Sequence, residues 1–144
     1  MKTRVLDSWA ILEWMSGRQP ATGVVAELLS AAEEGRTRLL ISAINVGEVY
    51  YFLLKQHSEA LAEAWRESSR TLPATIEVPT ADDIWSAAAL KGRFPIAYAD
   101  GFAAALAQKY NCPLVTADPE FRRVDQLELD WIGGGEAPHQ AVPF

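Results

Sequence analysis

The sequence predicts an α/β domain, a three-layer α/β/α sandwich around a short, mostly parallel central sheet. Short apolar runs alternate along the chain with longer segments of helical period, and that alternation marks a parallel sheet covered on both faces. The length, 144 residues, suits one domain. At 49% hydrophobic residues the chain has the apolar material for one core and is not disordered.

The elements follow in order. A strand over about residues 3 to 6 ends at Asp7, and Ser8 is placed to cap a helix carrying Trp9, Ile11, Leu12 and Met15. Gly17 and Pro20 interrupt it. From Ala21 to Glu34, Val24, Val25, Leu28, Leu29 and Ala32 recur at helical spacing, and Gly35 stops the helix. Leu39, Leu40 and Ile41 form a buried strand. Ser42 caps a helix to about Gln56, and Ser58 starts another to about Ser69. Thr75 to Val78 alternates as a strand. Thr80 with Asp83 reads as a capping box for a helix ending near Lys91, before Gly92. Pro95 precedes a helix from about Ile96 to Tyr110, then a strand from Pro113 to Thr116 and a last strand from about Leu127 to Ile132. The domain therefore spans residues 1 to 132, and residues 133 to 144, with three glycines and two prolines, read as a flexible tail. The glycines lack the following helix and Lys-Ser/Thr of a phosphate loop.

One cysteine, Cys112, excludes a disulfide framework and a cysteine-based zinc site. The basic N-terminus has no apolar run of signal length behind it, and no stretch approaches the length of a membrane span. A cytoplasmic location, without membrane association, is the expectation. His57 at a helix end and His139 in the tail read as ordinary surface residues.

The formal charge is −6, from 13 Lys and Arg against 19 Asp and Glu, which disfavours a basic nucleic-acid surface. Most acids fall on helix faces beside Lys or Arg, as solvated surfaces do. Four do not. Asp7 and Asp118 stand just after strand ends, where open α/β sheets bind ligands. Glu48 lies mid-helix with Ile44, Tyr51 and Phe52 as helical neighbours, and Asp100 shares a face with Ile96, Ala97, Ala103, Ala104 and Ala107. A buried carboxylate needs a partner, either a helix cap, a basic side chain or a cation. Lys91 is the basic residue closest to the same edge. Two carboxylates about 4 Å apart repel by roughly 4 kcal/mol at an effective dielectric of 20, so a cluster of four needs a metal or protons. All-oxygen ligands favour Mg²⁺ or Mn²⁺ over zinc.

Val5-Leu6-Asp7-Ser8, Asn45-Val46-Gly47-Glu48-Val49, Ala99-Asp100 before an alanine-rich helix, and Leu114-Val115-Thr116-Ala117-Asp118-Pro119-Glu120-Phe121 resemble, in order and spacing, the four motifs of PIN-domain ribonucleases, and among them VapC-like toxins of type II toxin–antitoxin modules. The resemblance covers residues 3 to 132. It implies a PIN-like fold and a Mg²⁺-dependent endoribonuclease, with Mn²⁺ a possible substitute, in which Asp7, Glu48, Asp100 and Asp118 hold the metal and are catalytic. Ser8 and Thr116 match small polar positions beside these acids, and Lys91 matches a basic position before the third. Hydrolysis by a metal-activated water would leave 5′-phosphate and 3′-hydroxyl ends. Gly101 stands where an alanine is expected, which would loosen the start of its helix. The implied partners are an RNA substrate, a cognate antitoxin and a second copy of the chain in a homodimer. A non-catalytic PIN-like binding module and a housekeeping RNA-processing nuclease are the alternatives. A haloacid-dehalogenase-type phosphotransferase and a response-regulator receiver both need a further acid after the first strand, where Ser8 and Trp9 stand.

Five tryptophans, Trp9, Trp14, Trp65, Trp85 and Trp131, are read mostly as core. Without the four proposed ligands the remaining charge is −2, so affinity for RNA would rest on Arg18, Arg36, Arg38, Lys91, Arg93, Arg122 and Arg123.

Overall fold

The computed structural model describes residues 1–134. Five strands, β1 (Lys2–Leu6), β2 (Thr37–Ser42), β3 (Thr75–Glu77), β4 (Leu114–Thr116) and β5 (Leu129–Trp131), alternate with six helices, α1 (Ser8–Ser16), α2 (Ala21–Glu33), α3 (Ala43–Gln56), α4 (Glu59–Ser68), α5 (Ala81–Arg93) and α6 (Tyr98–Lys109). The strands pair in the order β3-β2-β1-β4-β5, all in parallel.

Side chains alternate along each strand, so each strand feeds two cores. Val5, Leu40 and Leu114 pack with Phe102, Ala103, Ala104 and Leu106 of α6 and with Ala87 and Leu90 of α5. Leu6, Leu39, Ile41 and Val115 pack on the other face with Ile11, Val25, Val49 and Trp65. These are the two helical layers expected from the sequence.

From the central β1 the chain first builds outward through β2 and β3, then crosses to β4 and β5 on the other side. The strand order thus reverses between β1 and β4, and the crevice outside their carboxyl ends is where such sheets bind ligands. Asp7 leaves β1 there, and Thr116 ends β4.

Several local details depart from the sequence reading. Asp7, not Ser8, caps α1, because Asp7 is still extended as it leaves β1 and its Oδ1 accepts the Ala10 amide at 2.7 Å. α5 runs through Gly92, and α6 begins at Tyr98 rather than Ile96. Short 3₁₀ helices at Ser69–Thr71 and Pro119–Arg123 were not foreseen. Gly101 does not loosen α6. A Cβ there would lie 2.7 Å from the Ala87 carbonyl oxygen, so glycine is what lets α6 press against α5. Of the tryptophans, Trp65 is fully buried, Trp14 and Trp131 are partly exposed, and Trp9 and Trp85 are exposed. Gly134 accepts a hydrogen bond from the Trp131 indole at 3.0 Å. The rest of the expected tail, 135–144, lies outside the described residues.

Candidate functional site

Asp7, Glu48, Asp100 and Asp118 come together at the carboxyl end of the sheet. Asp7 is 1% exposed. Burial pushes its carboxyl up to about 8, against hydrogen bonds from Thr116 and Ala10 that pull it down, and the charges of Asp100 and Asp118 add to the rise. Burial, then Asp118 and Glu48, push Asp100 up to about 7. Asp118, half-buried, is also raised by burial. Each acid feels the next through space.

Three of the four also cap helices. Asp7 caps α1, and Asp118 Oδ1 accepts the Glu120 amide at 2.9 Å to begin the 3₁₀ helix. Asp100, third in α6, reaches back to the Ala97 amide at 3.3 Å. The positive ends of helix dipoles therefore face the cluster and offset part of its charge. These residues both cap helices and stand in the cluster.

Thr116 ties two of the acids together. Its hydroxyl donates to Asp7 Oδ2 at 2.5 Å and accepts the Asp118 amide at 2.9 Å. Ser8 is buried beside Asp7 as the first residue of α1. The Asp83–Lys109 ion pair shows that α5 and α6 run antiparallel, so the last turn of α5, with Lys91, lies toward the start of α6 and Asp100. Lys91 is exposed and makes no ion pair with the four acids. Among the described residues no ion pair reaches any of them.

Glu48 is only half-buried. Its neighbours Ile44 and Tyr51 are exposed, so it stands at a rim rather than inside an apolar face. Burial, with the charges of Glu48 and Asp100, raises the Tyr51 hydroxyl. Three residues escaped the sequence reading in any specific role: Asn45, which holds Glu48; Glu120, whose charge also bears on Asp100; and Tyr51. Asn45 and Glu120 were visible only as neighbours within the motifs.

The donor types present are those a hard divalent cation takes. The donors are all oxygens, from four carboxylates and a hydroxyl, with no competing Lys or Arg ion pair among the described residues. No three acidic, His or Cys side chains among the described residues already close around one point. Like charges at this range repel, and a bound cation would offset that repulsion.

The model of the PIN domain matches residues 4–127. This chain belongs to the PIN domain family. No curated protein sequence matches it. Among solved structures, this PIN domain is similar in fold to VapBC2 from Rickettsia felis bound to a promoter DNA fragment (TM-score 0.68, 17% identity, covering 90% of this chain and 98% of that one). It is also similar to VapBC-1 from nontypeable Haemophilus influenzae (TM-score 0.62, 21% identity, 90% and 97% covered). A third is VapC20 from Mycobacterium tuberculosis, described as a toxin cleaving the sarcin-ricin loop (TM-score 0.61, 16% identity, 81% and 88% covered). The PIN fold places the acids where β1, α3, α6 and β4 meet. No helix among the described residues of this PIN domain is long and apolar enough to cross a membrane.

Proposed function

We propose that this PIN domain is a Mg²⁺- or Mn²⁺-dependent endoribonuclease, the toxin of a toxin–antitoxin pair. The observation that carries this is the acidic cluster itself, with Asp7 raised to about 8 and Asp100 to about 7 and no basic side chain paired to it among the described residues. Asp7, Glu48, Asp100 and Asp118 would hold the cation. When bound, it supplies Lewis acidity, which activates water and offsets charge developing on phosphorus.

The chain's own residues prepare that chemistry. Thr116 fixes one Asp7 oxygen, and the Ala10 amide fixes the other, so the carboxylate cannot rotate away. The Ala97 amide orients Asp100 in the same way. Arg36 and Arg38 do not serve RNA at this site. They lie at the amino end of β2, where Arg36 pairs with Glu27 and Glu34 and Arg38 stacks over the Tyr110 ring at 5.4 Å. Arg18 pairs with Glu13. Lys91 and Arg93, both exposed in the last turn of α5, are the better contacts for an RNA backbone.

A cognate antitoxin and a homodimer belong to this reading. Exposed Trp9, Ile44, Tyr51 and Tyr98 on α1, α3 and α6 form an apolar rim on the elements that carry the acids, of the composition that protein interfaces use. Exposed Ile84 and Trp85 on α5 offer a second face for dimerisation. Purified, partner-free protein is expected to cleave RNA with Mg²⁺ and to stop on chelation, and Asp100→Asn is expected to be inert. Equal cleavage by Asp100→Asn, or none by wild type with either metal, would refute the assignment.

A further inference from the structure

We infer that Asn45 is a positioning residue of the acidic site, whose amide pins Glu48 and the start of α6 into one arrangement. The inference rests on the metal reading above.

Asn45 is fully buried. Its Nδ2 donates to Glu48 Oε1 at 3.2 Å and to the Ala99 carbonyl at 3.1 Å. Both partners are acceptors, so the nitrogen has to face them and the amide orientation is settled. One side chain thus spans from α3, which carries Glu48, to the residue before Asp100 in α6. The Asn45 oxygen finds no donor among the described residues. A buried, unpaired amide oxygen is a net cost that leucine or methionine would not carry, so the amide's place in this core rests on its two N–H bonds.

Charge explains why an amide suits the position. A lysine or arginine there could also hold Glu48, but its positive charge would occupy the role of a cation. The amide orients the carboxylate and leaves its charge uncompensated.

The test is a calorimetric titration of Mn²⁺ into the full chain, alongside an apo thermal melt and circular dichroism of each variant. Asn45→Ala is expected to weaken Mn²⁺ binding by about tenfold, the low end for loss of a group that orients a ligand. Asn45→Ser, too short to span both acceptors, should behave alike and stands in if the alanine variant does not fold. In an Glu48→Gln background the same Asn45 change is expected to matter less than about twofold, because the group it acts through is gone. A merely structural asparagine would lower the melting temperature and leave the Mn²⁺ affinity unchanged. That result overturns the proposal, as does an equal loss in both backgrounds or failure of both variants to fold. If wild type itself takes no Mn²⁺, the metal reading fails and this inference falls with it. Normal wild-type binding with an unaffected Asn45→Ala sinks this inference alone.

Discussion

Asp83 and Asp100 do the same local work at the starts of adjacent antiparallel helices. Each is the third residue of its helix and reaches back to the amide three positions earlier, Asp83 to Thr80 at 2.9 Å and Asp100 to Ala97 at 3.3 Å. Their protonation goes opposite ways. The Thr80 amide, helped by Lys109, holds Asp83 below the usual carboxylate range, whereas burial beside Asp118 and Glu48 pushes Asp100 up to about 7. Local sequence therefore does not decide what a capping acid is for. Its surroundings do: a lysine in partial solvent makes a structural cap, and three further acids make the cluster that is proposed to take a cation.

The largest effect should come from exchanging the two roles. Asp100→Asn is expected to reduce Mg²⁺-dependent RNA cleavage by more than about 100-fold, beyond what loss of a supporting group causes. Asp83→Asn should stay within about twofold in the same assay.

Proton linkage separates the two ends next. Asp7 and Asp100 have folded values of about 8 and about 7 against an ordinary 3.8, so above that ordinary value the folded state keeps protons that the unfolded chain has released. Stability without metal must then fall as pH rises from about 4 to about 8. A thermal melt should show a decline of roughly 15–20 °C between pH 5 and pH 8, and saturating Mg²⁺ should reverse it at the upper end. A metal-free melting temperature that rises over that range would show that these carboxyls are not protonated in the fold.

Where the helices touch, Gly101→Ala should destabilise by about 1–3 kcal/mol, read from denaturant midpoints, because the new methyl meets backbone at Ala87. Thr116→Val removes the hydroxyl shared by Asp7 and Asp118 and should weaken Mn²⁺ binding about tenfold. Asp83→Ala, the smallest change, should lower stability by about 1 kcal/mol and leave Mn²⁺ titrations unaltered.

Much of this was legible in the amino-acid order. Gly35 marks the end of α2, and Ser42, Ser58 and Thr80 mark the starts of α3, α4 and α5, because those signals act within a few residues of the chain. Asp7 and Asp118 stood out because a parallel sheet directs every strand's carboxyl end to one side. What stayed hidden depends on distant partners or on backbone angles. Asn45 binds Ala99, 54 residues away. Asp7 and Ser8 are both able to cap, and only the extended backbone at Asp7 selects it. The need for glycine at 101 comes from Ala87 on the neighbouring helix. Arg36 and Arg38 looked available for RNA until the sheet placed them at its far end.

On the proposed function, an acidic cluster that no ion pair reaches among the described residues exchanges its protons for a divalent cation. Calorimetry of Mn²⁺ binding near pH 7, repeated in buffers of different ionisation enthalpy, tests it most directly. Saturable binding to the wild-type chain with net proton release is expected, and sharply weaker binding with less proton release in Asp100→Asn. Binding with no protons released, or equal binding by the two proteins, would contradict it.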